Sequence, residues 1–548
     1  MTITRRAMLL AAAPLAACRA REAAASYDGG WLGAAHARGH RVLDGEGGHR
    51  ARDGPASAAP STQHRCAVAI VGGGIAGLAA ARSLLRAGID DVRLFDLEDE
   101  AGGNSRGHAI GGIDCPLGAH YVPLPGADAH EVAELLFELG VARHEYGRTL
   151  YDERHLCHSP QERLWIDGHW HDGLLPPAAP GSPRERQYRR FSQLVADVSR
   201  SLRFTLPTAR AAWTAGHAAL DATTFAQWLD RKGIDDPGLR WYLDYACLDD
   251  YGAGSAVVSA WAGLHYFASR HGFAAPGDDD GAPARDAAVL TWPEGNAWLA
   301  RRLAAPLRER LLTGHVVLRI DEALHEVVLD AWNARADRAE RWHAVQAIVA
   351  APLHVAARIV AAPLAALREA AVLVPHAPWL VANLHLREPL TDKPGAPPSW
   401  DNVLYDERGA GASLGYVDAM HQSLRPHPGP TVLTAYWALG GHSRAECAAN
   451  RSRLLNEPWS AWAARVLADL SRAHPDLAAK VTRIDLMRYG HAMAIPAPGV
   501  RGSAALAALA RPSPGRVHFA HCDLSGYSVF EEALCRGARA GEGVARRF

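Results

Sequence analysis

The hydrophobic pattern of the chain is clearest around residues 66–96. Residues 66–71, CAVAIV, form an almost continuous apolar run, which is typical of a strand buried on both faces of a parallel sheet. A glycine-rich turn follows, and then an alanine-rich stretch that ends near Gly88 and predicts a short helix. A second apolar run, residues 92–95, ends at Asp96. The pattern therefore predicts a strand–helix–strand unit.

Two longer stretches show different periodicities. Between residues 125 and 285, apolar side chains recur at helical spacing, as in TTFAQWLDRKG, where Thr223 is the expected N-cap. Between residues 375 and 490, polar and apolar positions alternate, as in PWLVANLHLREPL and TVLTAYWAL, which is typical of strands. The pattern therefore predicts a helical region and a later antiparallel sheet.

Composition narrows the classes of function. The chain has 548 residues, of which 48% are hydrophobic, and this is enough for two domains. Its formal net charge of −1 gives no electrostatic basis for nucleic-acid binding. The 8 cysteines contain no C-x-x-C pair and no zinc spacing, so we expect no metal centre. After the leader, no stretch is long and apolar enough to predict a membrane helix.

The N-terminus has the pattern of an export signal. Residues 1–18 contain a charged start, an apolar run too short to span a bilayer, and small residues before a cysteine. The pair Arg5-Arg6 resembles a twin-arginine signal, and LAAC, which ends at Cys18, resembles a bacterial lipobox. We therefore expect export to the bacterial periplasm, with a lipid on Cys18 as the only membrane association. Residues 19–64 are poor in large apolar side chains, which predicts a linker. Within them, residues 29–45, GGWLGAAHARGHRVLDG, are less simple than a linker, and packing on the body of the protein is left open for them.

Three glycines follow the first predicted strand as G-x-G-x-x-G. Gly72, Gly74 and Gly77 are placed for a tight turn, for close approach of the backbone to a pyrophosphate, and for helix–strand packing. The helix that follows offers free N–H groups and a partial positive charge to phosphates. Asp96 lies where a carboxylate takes the ribose hydroxyls. The motif predicts a dinucleotide site and leaves NAD and FAD both open.

The next residues carry a resemblance to a known family. The segment EAGGNSRG adds the pair Gly102-Gly103, and this resembles the flavoprotein amine oxidase superfamily, which includes monoamine oxidases, phytoene desaturases and protoporphyrinogen oxidases. In that family an arginine after the glycine doublet runs along the FAD pyrophosphate. Here Asn104 takes that place, and Arg106 follows two residues later. The segment GGIDCPLGAHYVP resembles the one that passes the flavin ring.

The C-terminal region resembles the last motif of the same family. In GRVHFAHCDLSGYSVFEEAL, Asp523 matches an acid that binds FAD. Tyr527, Ser528 and Val529 match the stretch beside the pyrimidine end of the flavin, where backbone N–H groups stabilise the charge of the reduced ring. Val317 matches a valine whose backbone meets the adenine. This second motif favours FAD over NAD.

The resemblance implies a fold of the α/β class, α+β overall, with two domains. A Rossmann-like FAD-binding domain is expected to be discontinuous, built from residues 65–124, 286–372 and 491–548. A helical-plus-antiparallel-sheet substrate domain is expected from residues 125–285 and 373–490. The residues implied to contact FAD are Gly72, Gly74, Ile75, Ala76, Gly77, Asp96, Gly102, Gly103, Asn104, Ser105, Arg106, Gly118, Ala119, His120, Val317, Asp523, Tyr527, Ser528 and Val529.

The resemblance also implies a class of reaction. An FAD-dependent oxidoreductase of this kind moves a hydride from a small-molecule substrate, with amines favoured, to the flavin, and oxygen or a quinone reoxidises the cofactor. Many amine oxidases hold a water against flavin N5 with a lysine, and the spacing places Val381 at that position here. A flavin isomerase or desaturase-like enzyme without net redox change, and a non-catalytic envelope protein with the FAD fold, remain alternatives.

Four residues are candidates for work on the substrate. Asp250 belongs to an acid pair beside an aromatic residue, which suits an ammonium group, although a helix end with solvated acids is the simpler explanation of the pair. Tyr416 and His421 are expected to point from the sheet into the cavity, where a histidine such as His421 is expected to take up a proton near neutral pH. Tyr489 precedes the last FAD motif and is expected near the flavin.

Overall fold

The computed structural model of the chain describes residues 27–33, 35–43, 60, 62–275, 288–409, 411–423, 425 and 427–548. The predicted twin-arginine pair and Cys18 lie outside these residues, so the export and lipidation of the chain stay predictions. None of the helices within the described ranges has the length and apolar character needed to cross a membrane.

The described residues form mixed sheets and helices. The strands are β1 (Asp28–Leu32), β2 (Thr62–Val71), β3 (Val92–Asp96), β4 (Gly107–Ile110), β5 (Ile113–Pro116), β6 (Tyr121–Pro123), β7 (Ala142–Glu145), β8 (Arg148–Tyr151), β9 (Glu162–Ile166), β10 (His169–Asp172), β11 (Val289–Thr291), β12 (Leu311–Thr313), β13 (His315–Glu322), β14 (Val327–Asn333), β15 (Arg338–Val349), β16 (His376–Leu386), β17 (Asp401–Leu404), β18 (Ser413–Asp418), β19 (Thr431–Ala438), β20 (Val481–Ala494) and β21 (Val517–Phe519). The helices are α1 (His36–Leu43), α2 (Ile75–Arg86), α3 (His130–Glu138), α4 (Pro183–Ser201), α5 (Ala215–Asp221), α6 (Phe225–Arg231), α7 (Pro237–Tyr251), α8 (Ala260–Tyr266), α9 (Ala297–Ala304), α10 (Leu353–Ile359), α11 (Ala365–Leu373), α12 (Arg444–Asn456), α13 (Trp459–Leu470), α14 (Leu477–Lys480), α15 (Ala504–Leu509) and α16 (Phe530–Ala545).

A parallel sheet forms the centre of the nucleotide domain. Its order is β12-β3-β2-β15, with β21 beside the carboxyl end of β15, and β14 and β13 extend it antiparallel. The apolar run in β2 is buried because both faces are covered. Val68 and Ile70 pack with α2 and α16, whereas Ala69 and Val71 pack with α10, α11 and α15. The predicted strand–helix–strand unit and the fold class are confirmed.

An eight-stranded sheet forms the substrate domain, in the order β1-β20-β16-β19-β18-β17-β9-β10. Its central strand β16 alternates between two cores. Leu380 and Ala382 face α13, while Trp379 and Val381 face the core of α4 to α8. The predicted antiparallel sheet is confirmed here, and its second face turns toward the nucleotide domain.

The region predicted as helical contains more than helices. Strands β9 and β10 extend the substrate sheet from residues 125–285, because β9 pairs with β17 in parallel. Helix α3 packs on α16 in the nucleotide-domain core, so that domain continues past residue 124. Strand β20 likewise crosses the expected boundary at residue 490. The N-cap of α6 is Thr224 and not Thr223, since the Thr224 side chain accepts the Gln227 N–H.

The described part of residues 19–64 does not form a linker, and the described residues of the stretch 29–45 pack on the body of the protein. Strand β1 pairs in parallel with the edge of β20, α1 follows, and β2 begins at Thr62. Strand pairing uses backbone groups, so it needs few large apolar side chains. Gly29 allows the contact, because a Cβ there would lie 1.8 Å from the Ile484 carbonyl oxygen.

Candidate functional site

A cavity of about 560 Å³ lies at the carboxyl ends of β2, β3 and β15 and beneath the substrate sheet. This is where open α/β sheets bind ligands, and the volume is within the usual range of ligand pockets. Gly72, Asp96 and Ala350 line it from the nucleotide domain, and Trp379 and Tyr436 line it from the substrate sheet. The two domains therefore share one site.

The three motif glycines have different surroundings. Gly72 has a φ of +109°, which favours glycine, and it turns the chain from β2 toward α2. Gly74 is the N-cap of α2 and has no side-chain cap, so first-turn N–H groups are left for a ligand. Gly77 does not line the cavity. A Cβ there would lie 1.9 Å from the Gly72 carbonyl oxygen, so Gly77 serves helix–turn packing.

The turn at Gly72 and the capless N-terminus of α2 form a cradle for a nucleotide, and Asp96 lies beside it at the end of β3. Its carboxylate accepts the Gly73 and Glu98 N–H groups, each at 2.7 Å, and one face of the residue lines the cavity. Burial raises the pKa of Asp96 to about 6, although the two N–H bonds oppose that effect. A capless helix N-terminus with an anchored carboxylate beside it fits the phosphates and ribose of a dinucleotide.

The second glycine pair forms the adjoining wall. Gly102, Gly103, Asn104 and Ser105 line the cavity, and Asn104 Nδ2 donates to the Ala492 carbonyl at 2.7 Å.

Arg106 lies behind that wall. Its Nη1 lies 3.1 Å from the Glu98 carboxylate and donates to the Gly33 carbonyl, and its Nε donates to the Gly103 carbonyl at 3.1 Å. Arg106 therefore holds the glycine pair from outside the cavity.

The C-terminal motif also has some residues in the cavity wall and others behind it. Ser528 and Val529 line the cavity at the start of α16, and Val529 is a capless N-cap. Asp523 is fully buried behind them, where its Oδ2 accepts the Leu353 N–H at 2.9 Å and lies 3.0 Å from His376 Nε2. Although burial opposes ionisation, His521 and His376 hold the pKa of Asp523 well below its usual range.

Most residues expected to contact the cofactor line the cavity. Tyr527 is the fourth exception, after Gly77, Arg106 and Asp523, because its hydroxyl donates to the buried Glu532 at 3.1 Å. The residues of the prediction found in the wall are Gly72, Gly74, Ile75, Ala76, Asp96, Gly102, Gly103, Asn104, Ser105, Gly118, Ala119, His120, Val317, Ser528 and Val529.

Of the four catalytic candidates, Asp250 and Tyr489 line the cavity and Tyr416 and His421 do not. Tyr416 faces α13, and its hydroxyl lies 2.7 Å from His474 Nε2. The cause is an irregularity in β18, where Gly415 has a φ of +86° and the register shifts. Leu414 and Tyr416 therefore face opposite sides although they are two residues apart. His421 lies in the following turn and bonds to the Pro160 carbonyl.

The acid pair at the end of α7 has two different environments. Asp250 is 5% exposed, and it accepts the Arg270 Nη1. Arg270 also lies 3.6 Å from Glu531. Asp249 makes no such ion pair among the described residues and takes the Tyr121 hydroxyl as its hydrogen-bond partner in the cavity. The acid free to meet a ligand is therefore Asp249.

Two further acids lie near Asp249 that the sequence reasoning missed. Asp401 lines the cavity at the start of β17, and Glu162 stands opposite it in the register of β9. No local sequence signal joins these residues, because their contact depends on β9 entering the substrate sheet. Asp249 and Asp401 line the cavity and Glu162 does not; we call the three together the acidic end of the cavity.

The acidic end holds carboxyl groups that ionise with difficulty. Burial raises the pKa of Asp249 to about 7, and the Asp250 charge adds to this. Burial raises the pKa of Glu162 to about 7, with Asp172 adding. Burial also raises the pKa of Asp401 well above its usual value, with Asp249 and Glu162 adding. A bound cation would favour the ionised forms.

Aromatic rings surround the same part of the cavity. Tyr121, Tyr245, Trp379 and Tyr436 line it, and the His120 ring stacks on Tyr436 with centroids 4.3 Å apart. Burial lowers the pKa of His120 to about 3, so this imidazole is neutral.

Val381 lines the cavity at the position expected for the lysine of many amine oxidases. The lysines of the chain are Lys232, Lys393 and Lys480, and none of them lines the cavity.

Comparisons with known proteins show which family and which fold the chain resembles. The sequence model of the flavin containing amine oxidoreductase family matches residues 75–545. A double mutant of putrescine oxidase has a similar structure, with a TM-score of 0.63, 18% identity, and coverage of 88% of this chain and 100% of that one. Cyclohexylamine oxidase from Brevibacterium oxydans has a TM-score of 0.63 and 20% identity, over 88% of this chain and 99% of that one. A fatty acid isomerase from P. acnes has a TM-score of 0.57 and 15% identity, over 86% of this chain and 97% of that one. No curated protein sequence matches the chain.

Proposed function

We propose that this chain, which belongs to the flavin containing amine oxidoreductase family and binds FAD, oxidises an amine that carries a second ammonium group. The observation that supports this is the acidic end of the cavity, where Asp249 and Asp401 face the ligand space without an ion-pair partner among the described residues. FAD, when bound, accepts a hydride from the carbon next to the reacting nitrogen, and oxygen or a quinone is the proposed final acceptor.

The residues of the chain have two tasks in this proposal. The carboxylates of Asp249 and Asp401 attract an ammonium group, and the faces of Tyr245 and Tyr436 add cation–π attraction. A diamine anchored in this way leaves its other amino group toward the flavin. That nitrogen must be uncharged when hydride leaves the neighbouring carbon. The ammonium group that does not react therefore stays charged at the acidic end, while the reacting amino group loses its proton.

Charge recognition is tested by comparing 1,4-diaminobutane with butylamine. We expect the diamine to have a KM at least about tenfold lower, since each tenfold change equals about 1.4 kcal/mol of binding. The variant Asp249→Asn should raise the KM for the diamine and leave that for butylamine nearly unchanged. Glu407→Gln is the matched control, because it removes an exposed acid outside the cavity wall. Equal KM values for the two amines in the wild-type protein would contradict the proposal.

A second candidate is an isomerase or desaturase-like reaction on an apolar substrate. The observation that favours it is the apolar wall of Trp379, Val381 and Leu414, together with the absence of lysine from the cavity wall of the described residues. The fatty acid isomerase named above has a similar fold. Under this candidate no amine bleaches the flavin, and an unsaturated fatty acid changes its absorption without consuming oxygen.

A further inference from the structure

We propose that residues 27–33 and 35–43, here called the N-terminal strap, form a wall of the FAD site and control how fast FAD leaves. The strap lies outside the residues matched by the family, 75–545. It connects the two domains, since β1 belongs to the substrate sheet and α1 lies against the nucleotide domain. The inference rests on FAD binding and not on amine oxidation.

The first anchor of the strap is strand β1. Its five residues pair in parallel with the edge strand β20, from Asp28 opposite Arg483 to Leu32 opposite Met487. The Arg488 guanidinium lies 4.5 Å from the centre of the Trp31 ring, which adds a cation–π contact. These contacts fix the strap on the substrate sheet.

The second anchor fixes the strap on the segment that follows Asp96. The Ala35 N–H donates to both carboxylate oxygens of Glu98, at 2.9 and 3.0 Å. Arg38 donates to the Leu97 carbonyl and lies 3.3 Å from the Asp99 carboxylate.

Arg106 extends this anchor, because it bonds both to Gly33 of the strap and to the Gly103 carbonyl. The strap is therefore joined to the residues on both sides of the nucleotide cradle.

Beyond the anchors, the strap enters the cavity wall. Gly39 and His40 line the cavity together with Asp96 and Leu97. Gly39 leaves little space, since a Cβ there would lie 3.3 Å from Leu97 Cδ1. Asp96 marks the ribose end of the dinucleotide site, so the strap covers the adenosine half of FAD. Release of FAD then requires local opening of the strap, and the strength of the anchors sets the frequency of that opening.

The test compares two neighbouring glycines of β1. In Gly29→Val the new Cβ would lie 1.8 Å from the Ile484 carbonyl oxygen, so β1 cannot pair with β20. Gly30→Val is the matched control, because a Cβ there has no atom within 4 Å. We measure FAD release by the rise of flavin fluorescence after dilution of the loaded protein. We expect release from Gly29→Val to be about tenfold faster than from wild type or Gly30→Val.

A second variant separates cofactor retention from folding. Arg38→Ala removes the side-chain contacts of the second anchor with Leu97 and Asp99 from a partly exposed position, and it is expected to accelerate FAD release as well. The urea midpoint of the FAD-free proteins is measured in parallel and is expected to stay within the range of the Gly30→Val control. Release rates equal to wild type in both Gly29→Val and Arg38→Ala would overturn the inference, and so would acceleration that only follows a loss of folding.

Discussion

At the scale of single residues, Asp249 and Asp250 show how neighbours on one helix acquire different roles. Asp250 is neutralised by Arg270 and keeps that guanidinium in the wall. Among the described residues, the Tyr121 hydroxyl is the one hydrogen-bond partner of Asp249, and burial raises the pKa of Asp249 to about 7. A group with such a pKa changes its charge within the range in which enzymes are assayed, so the proposed amine site should depend on pH.

We predict that the KM for a diamine rises as the pH falls through about 7. The sign follows from the raised pKa, because Asp249 is ionised above pH 7 and is protonated, and therefore uncharged, below it. At pH 8 the Asp249→Asn variant should have a KM about 10 to 100 times that of wild type, equal to about 1.4 to 2.8 kcal/mol. The difference should shrink toward pH 5.5, where both proteins lack the charge.

The measurement is KM for the diamine from pH 5.5 to 8.5. Deprotonation of the substrate changes with pH in the same way for both proteins, so the ratio of their KM values isolates Asp249. Glu407→Gln should follow wild type at every pH. A ratio that is constant across this range would show that Asp249 does not meet the substrate cation.

Single residues also show what the sequence can and cannot predict. Gly72, Gly74 and Asp96 were predictable because their spacing is set by a local strand–turn–helix geometry. Tyr416 was misplaced because a bulge at Gly415 reverses the faces of β18 without changing the apolar pattern. The acidic end could not be predicted from the sequence, because Asp401 and Glu162 are brought together by the order of the strands in the sheet.

At the scale of elements, α2 and α16 pack with their backbones in close contact. A Cβ on Gly537 would lie 2.0 Å from the Ala76 carbonyl oxygen, and one on Gly541 would lie 2.5 Å from that of Ala80. Both helices begin at the cavity, with Gly74 and Val529 as capless N-caps. The two glycines on α16 therefore set the distance between two helix N-termini of the FAD site.

We predict that Gly537→Ala separates these helices and loosens the cofactor site. The free energy of unfolding should fall by about 1 to 3 kcal/mol, the usual effect of overpacking, and FAD affinity should fall with it. Gly543→Ala lies in the same helix with no atom closer than 3.9 Å to the new Cβ, so it should be at least as stable as wild type, because alanine favours a helix over glycine, and it should keep the FAD affinity of wild type. Urea unfolding and FAD titration of the apo-protein check both effects. Identical results for the two variants would contradict the packing argument.

The pattern of apolar residues predicted the elements that bury many of their own apolar side chains. Strands β2, β3 and β16 and helix α6 belong to this group. It missed β1 and α1, because a strand added to an open sheet edge gains backbone hydrogen bonds and needs few large side chains. It also missed that β9 and β10 join the substrate sheet, since their short runs lie among helices.

At the scale of the whole molecule, the FAD site is built from distant parts of the chain. Strand β21, near the C-terminus, pairs with β15, and β15 pairs with β2. The resemblance to a family predicted this discontinuous arrangement, which periodicity alone does not reveal. Its boundaries were less accurate, because α3 and α1 lie on the nucleotide side. The substrate domain then covers the cavity and supplies the acidic end.

The most direct test of the central claim is an anaerobic titration of the FAD-loaded protein with amines, followed by absorption spectroscopy. We expect a diamine to bleach the flavin bands and one aldehyde to form per flavin reduced. We also expect Asp249→Asn to shift the titration to higher diamine concentration while the variant keeps its FAD. Flavin bands that no amine bleaches, in a protein that retains its FAD, would contradict amine oxidation and favour the isomerase candidate.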